Sequence, residues 1–223
     1  MFKAFNLTNL HMKVILIGAT GIIGKIILNE LKKYEHIQVV TVSRNGETDI
    51  KADISSLHQI KEMYATVGSF DAVINAAGDC WVGSFNDMTE DNWYVGIKNK
   101  MMGQINLVMA GKDLINTNGS FTLTSGFISD DPIKGTIDYS IANGGIDNFV
   151  FAASIELERG IRVNAVSPGL VVENYDGNMN TPAAGQYPVS HSRIAHAYYK
   201  SAFGYLSGQI FRVWESSTQY IRK

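Results

Sequence analysis

Val14-Ile15-Leu16-Ile17-Gly18-Ala19-Thr20-Gly21-Ile22-Ile23-Gly24 sets four consecutive branched apolar residues ahead of three glycines spaced three apart. The apolar run suits a strand buried on both faces, and the residues after it carry a helical spacing, so the glycines mark a strand-to-helix turn. Glycine permits the tight turn, lets backbone approach an anion, and lets the helix pack close to the strand. The helix start then offers unpaired N–H groups and the positive end of its dipole, which is a seat for a phosphate.

Working outward, residues 22–33 hold Ile22, Ile23, Ile26, Ile27 and Leu31 at helical spacing and close on Lys32-Lys33. A second strand is expected over residues 38–42, ending in Ser43-Arg44. An acidic residue at that place would bond an adenine ribose 2′-hydroxyl, whereas a basic one accommodates a 2′-phosphate. The sequence therefore favours NADP(H) over NAD(H), although Glu47 and Asp49 lie close to Arg44. Residues 50–54 read as a third strand, ending in Ala52-Asp53-Ile54, with Ser55 or Ser56 capping a helix to about residue 67. Residues 71–78 form a fourth strand closing on Asn75-Ala76-Ala77-Gly78, small residues that leave room for a ligand at a strand's carboxyl end.

The remainder keeps the alternation. Residues 89–110 are the longest helical stretch, with Gly96 and Gly103 where another helix can approach. Residues 119–125 are the fifth strand, 138–159 a second long helix, 161–166 the sixth strand closed by Ser167-Pro168-Gly169. A short helix over 192–203 and a last strand over 209–214 follow. This pattern predicts an α/β fold with a single doubly wound parallel sheet of about seven strands. Residues 1–11 read as an N-terminal extension, residues 12–223 as one domain, and 172–188 as a lid without helical periodicity.

Composition sets the limits. The chain has 223 residues, 45% hydrophobic and 18% charged, enough for one core. A formal charge of −2 and a pI near 6.2 give no reason to expect nucleic acid or an anionic membrane surface. There is no run of about 18 apolar residues of the kind a spanning helix needs. A single cysteine, Cys80, fits a reducing cytoplasm. The histidines make no metal site, since His191 and His196 are five apart, off a shared helical face. Asp130-Asp131 before Pro132 reads as turn chemistry, Cys80 as a spectator, and Trp81 as a candidate pocket wall.

The glycine turn, Asp53, Asn75 to Gly78, Tyr139, Arg162-Val163-Asn164-Ala165-Val166-Ser167-Pro168-Gly169 and the Gly208-Gln209 strand resemble the short-chain dehydrogenase/reductase family in order and spacing. The resemblance covers residues 12 to about 215. It implies a cofactor cradle at Gly18, Thr20, Gly21, Ile22, Ile23 and Gly24, with Ser43 and Arg44 at the ribose. Asp53 and Ile54 would meet the adenine, Asn75, Ala76, Ala77 and Gly78 would line the cofactor, and Pro168 and Gly169 would sit beside the nicotinamide. A homodimer or homotetramer through the two long helices is implied likewise.

The active site departs from the family pattern, which is a Tyr, a Lys four residues later, a Ser on the fifth strand and an Asn in the preceding long helix. Tyr139 matches, but Asn143 stands at the Lys position, Gly126 falls at the Ser position with Ser125 beside it, and Lys100 stands where the family has its Asn. Lys100 and Asn143 are therefore read as having exchanged roles, with Asn99 on another side of its helix. The expected chemistry is hydride transfer to or from a small carbonyl or alcohol substrate, with Tyr139 carrying the proton, Lys100 favouring its ionisation, and Ser125 or a backbone N–H near Gly126 polarising the substrate oxygen. The alternative is a nucleotide-binding sensor or interaction protein on the same fold, catalytically impaired.

Overall fold

A computed structural model describes residues 11–171 and 185–216. Strand β1 (Met12–Ile17) is the centre of the sheet. Its apolar run is buried, and the alternation of side chains sends Ile15 and Ile17 into one core and Val14 and Leu16 into the other. Helix α1 (Ile22–Leu31) returns over the second face, and β2 (Ile37–Ser43) pairs beside β1 in parallel.

Strand β3 (Ile50–Lys51) is shorter than its apolar pattern suggested. It is an edge strand paired only through Val42 with Ile50 and Ser43 with Lys51. Beyond it, Asp53 Oδ1 accepts from Ser55 N at 2.9 Å and turns the chain out of the sheet. Ser56 then caps α2 (Leu57–Val67), accepting from Gln59 N. The chain crosses back to β4 (Phe70–Asn75), which pairs with the other side of β1.

The stretch expected as one helix is α3 (Glu90–Gly96), a π-helical turn over Ile97–Met102, and α4 (Gly103–Gly111). Thr89 and Asn92 form a reciprocal capping box at its start. Gly96 gives room to the Asp138 carboxylate, where an added Cβ would come within 2.5 Å; Gly103 gives room to the Ile54 side chain and not to a helix. Strand β5 (Ile115–Thr124), α5 (Ile137–Glu156), β6 (Arg162–Pro168), α6 (His191–Phe203) and β8 (Ile210–Val213) complete the layers. Between β6 and α6 lies β7 (Gln186–Tyr187), which pairs antiparallel with β9 (Glu215–Ser216) in a separate ribbon.

The sheet order is β3-β2-β1-β4-β5-β6-β8, parallel throughout. The expected doubly wound α/β sheet of seven strands is the observed one. Strand order reverses between β1 and β4, so their carboxyl ends open a crevice where ligands of such sheets bind. No helix among the described residues is long and apolar enough to cross a membrane. The N-terminal extension and most of the expected lid fall outside the described residues; the part within them carries β7.

Candidate active site

The glycine turn is held by backbone. Gly18 has φ +78°, its N–H donates to Val42 O at 2.8 Å, and a Cβ there would stand 2.8 Å from the Ala76 and Ala77 backbone. Gly24 does a different job. A Cβ on it would come within 2.0 Å of Gly18 O, so it lets α1 pack behind the turn. Gly21 lines the crevice and caps α1 with no side-chain acceptor, leaving the first-turn N–H groups without a side-chain partner.

That crevice is a cleft of about 350 Å³. Gly18, Thr20 and Gly21 line its base, Ser43, Arg44, Asp53 and Ile54 one end, and Ala76, Ala77 and Gly78 its far wall. Arg44 spans its mouth. Its Nη2 stands 2.9 Å from Asp79 Oδ2 and its Nη1 3.9 Å from Asp53 Oδ2. Asn99 also lines this cleft, away from Lys100, as the helical offset of one residue implies.

Other expected contacts sit behind the cleft. Asn75 is fully buried and braces the turn, donating from Nδ2 to Ala77 O at 2.8 Å. Ile22, 70% exposed, lines neither the cleft nor its back. Gly169 packs where a Cβ would meet the Trp214 side chain at 2.6 Å.

A second cavity of about 220 Å³ shares Ala76, Ala77 and Gly78 with the first, and Ile23 and Pro168 line it. Lys100, Tyr139, Asn143 and residues 124–128 complete its wall. Lys100 lies inside the π-helical turn and is 6% exposed, with its side chain against Gly78, where an added Cβ would meet Lys100 Cγ at 2.8 Å. Its Nζ stands 6.0 Å from the centroid of the Tyr139 ring. A π turn inserts an extra residue into the helical register and is frequent at functional sites.

Burial pushes the Lys100 ammonium below its ordinary value, opposed by the carboxylates of Asp147 and Asp79. Cys80 itself is driven by burial up to about 12, which keeps it a thiol at neutral pH. Tyr139 is raised above the usual phenol value, by burial first and then by Cys80, Asp79 and Asp138.

Asn143 is buried, and its Nδ2 donates to Gly126 O at 3.4 Å. Ser125 borders the cavity, but its hydroxyl is buried beside Asp147 on α5. Gly126 brings no side chain, so it gives the cavity that it shares with Tyr139 backbone only.

Two acidic groups escaped the sequence reading, and a third has a partner beyond its turn. Asp147 is buried, accepts from Ser129 Oγ at 3.2 Å, and is raised by burial against the neighbouring Ser125 and Ser129 hydroxyls and Arg212. Its signal was its spacing, four and eight residues after Asn143 and Tyr139. Asp138 is fully buried and accepts at Oδ2 from Trp81 N at 2.7 Å and Gly96 N at 2.9 Å, tying three segments together beside Tyr139. Asp130, read as turn chemistry, pairs with Arg212 through contacts of 2.9 and 3.2 Å. Trp81 packs its ring over Gly83 and is not in the cavity wall. Among the described residues there is no cluster of three metal-binding side chains.

A doubly wound parallel sheet with an uncapped helix start over the switch point is an architecture that seats a nucleotide there, and a cavity lined by Tyr139 continues from it. A family model described as enoyl-(acyl carrier protein) reductase matches residues 24–198, and the chain belongs to the short-chain dehydrogenase/reductase family. Oxidoreductase UcpA of Salmonella typhimurium is 28% identical over 134 residues, covering 56% of this chain and 50% of its own, so the match spans about half of that relative. The 3-oxoacyl-[acyl-carrier-protein] reductase FabG of Buchnera aphidicola is 28% identical over 184 residues, 74% of this chain and 75% of its own. Among solved structures, the protein lin1944 from Listeria innocua superposes with a TM-score of 0.82 at 36% identity, covering 91% of this chain and 99% of that one. A small-chain dehydrogenase in complex with NADPH superposes with a TM-score of 0.76 at 26% identity, covering 91% and 96%.

Proposed function

We propose that this protein is an NADP(H)-dependent oxidoreductase acting on a small carbonyl or alcohol, with Tyr139 as proton carrier and Lys100 in place of the family lysine. The observation that carries the reading is the burial of Lys100 in a cavity shared with Tyr139 and Asn143, next to the cleft. The cleft suits a dinucleotide: the uncapped α1 start and Gly21 for the pyrophosphate, Asp53 and Ile54 for the adenine, Arg44 for a 2′-phosphate. When bound, the nicotinamide supplies or accepts the hydride. Tyr139 then passes a proton to or from the substrate oxygen, and a protonated Lys100 near its ring favours the ionised phenol. Asn143 holds the Gly126 carbonyl and so shapes the wall the substrate meets.

A second reading is favoured by Gly126 and by the buried Ser125 hydroxyl, which leave no side-chain donor on the β5 wall facing Tyr139. On that reading the protein binds NADPH as a sensor or interaction module without efficient turnover. Titration with NADPH and NADH, followed by NADPH oxidation against a carbonyl panel for wild type, Lys100→Met and Tyr139→Phe, separates the two. Substrate-dependent oxidation lost in both variants supports the enzyme; binding without oxidation supports the sensor; absence of binding removes both.

The reading includes a homodimer or homotetramer through α4 and α5, supported by Met109, Phe151 and Ile155, which are 59%, 51% and 84% exposed on those helices. A cytoplasmic location is proposed on the strength of the single thiol.

A further inference from the structure

Arg44 follows β2 and Asp79 follows the turn after β4, the two strands that flank β1. Their side chains therefore meet over the carboxyl end of β1, at the mouth of the cleft that both line. Arg44 Nη2 is 2.9 Å from Asp79 Oδ2, while Asp53 lies farther off at 3.9 Å and already spends Oδ1 on the Ser55 turn. The guanidinium that the fold offers to a 2′-phosphate is thus already engaged by a carboxylate.

We infer that Asp79 sets the nucleotide preference of the cleft by competing with a 2′-phosphate for Arg44. The inference rests on the cofactor reading above and goes beyond it in naming a residue that works against the phosphorylated nucleotide. A guanidinium serves carboxylate and phosphate through the same planar donor edge, so Nη2 cannot hold both in full. A phosphate seated at Arg44 also meets the Asp79 charge. The ribose 2′-hydroxyl of NADH is neutral, asks nothing of Arg44 and leaves the pair closed. The pair is open to water, with side chains 54% and 61% exposed, so it is a weak lock that a dianion opens at modest cost. Asp79 thereby narrows the preference for NADPH without abolishing it.

The test is calorimetric titration of wild type, Asp79→Asn, Arg44→Ala and the double variant with NADPH and NADH. Adenosine 2′,5′-bisphosphate and AMP serve as half-ligands that need neither nicotinamide nor turnover. Asp79→Asn is isosteric on an exposed side chain, and a thermal melt checks its fold. Binding of NADPH and of the bisphosphate is expected to tighten about two- to fivefold, the range an exposed ion pair spans. Binding of NADH and AMP is expected to stay unchanged. In the Arg44→Ala background the Asp79 substitution is expected to leave the ratio where it was. An Asp79→Asn protein in which phosphorylated and unphosphorylated ligands shift together overturns the inference. So does a selective gain that survives without Arg44, because Asp79 then acts on the phosphate directly. Wild type that binds none of the four ligands removes the cofactor reading and this inference with it; wild type that binds, with a ratio indifferent to Asp79, removes the inference alone.

Discussion

Lys100 Nζ stands 6.0 Å from the centroid of the Tyr139 ring, and the two side chains reach that position from different helical segments, the π turn before α4 and the first turn of α5. The cation therefore approaches the phenol ring from a facing element and not from the tyrosine's own helix.

Lys100→Met is expected to lower NADPH-dependent turnover by about 10²-fold or more, the scale of a lost acid–base contribution, while the protein stays folded. A steady-state assay with matched circular dichroism spectra checks this. Turnover equal to wild type would leave Lys100 with no part in proton transfer.

The same residue makes stability depend on pH. Burial holds the folded-state pKa of Lys100 below its unfolded value, so between the two the unfolded chain binds more protons and stability rises with pH. Urea midpoints of wild type and Lys100→Met are expected to differ most at neutral pH, with the variant higher, and to converge as pH approaches the ordinary lysine range.

Asp147 acts with the opposite sign. Burial raises its folded pKa, so the cost of ionising it is absent at low pH and appears as pH rises through that raised value. Asp147→Asn is expected to gain in urea midpoint at pH 7 relative to wild type, the gain closing towards pH 4. A gain that is constant across this range would mean that the substitution acts through packing or hydrogen bonding alone.

Gly126→Ser places a hydroxyl on the cavity wall. A Cβ at Gly126 meets Asn143 Nδ2 at 3.0 Å, the end of a side chain, so a shift of a few tenths of an ångström accommodates it. If the wall lacks only an oxygen-polarising donor, kcat on a carbonyl substrate is expected to rise by about tenfold or more, below the 10²–10³ that one such donor contributes where it is native. Unchanged kcat in a folded variant would mean that backbone already does this work.

Gly24→Ala probes the cradle. With its Cβ 2.0 Å from Gly18 O, the variant must push α1 off the turn, at a cost of about 1–3 kcal/mol in a urea titration, and nucleotide affinity is expected to fall with it.

Much of the fold was legible because it rests on local patterns. The Val14 to Ile17 run, the glycine spacing and the alternation of strand and helix follow from backbone geometry and burial on two faces, which sequence periodicity reports directly. The placing of Gly18, Thr20 and Gly21 at the crevice follows from the same strand-to-helix turn. Gly24 packs against Gly18 O and Asn75 bonds Ala77 O, and neither lines the cleft, a distinction between facing the cleft and bracing it that spacing alone does not carry. The π turn was invisible because one inserted residue changes the register of a helix without changing its composition. The burial of Asp138 and Asp147 is set by how α5 packs against its neighbours, which no local pattern in the sequence reports.

By itself, the sequence determined the parallel sheet and the glycine turn at the end of β1, because each depends on residues close together in the chain or at fixed spacing. Only the tertiary structure decided that Lys100 is buried beside Tyr139, that Arg44 is held by Asp79, and that the Ser125 hydroxyl lies beside Asp147. Those relationships join side chains from separate elements across the sheet edge, where packing and desolvation, rather than local propensity, set which groups meet.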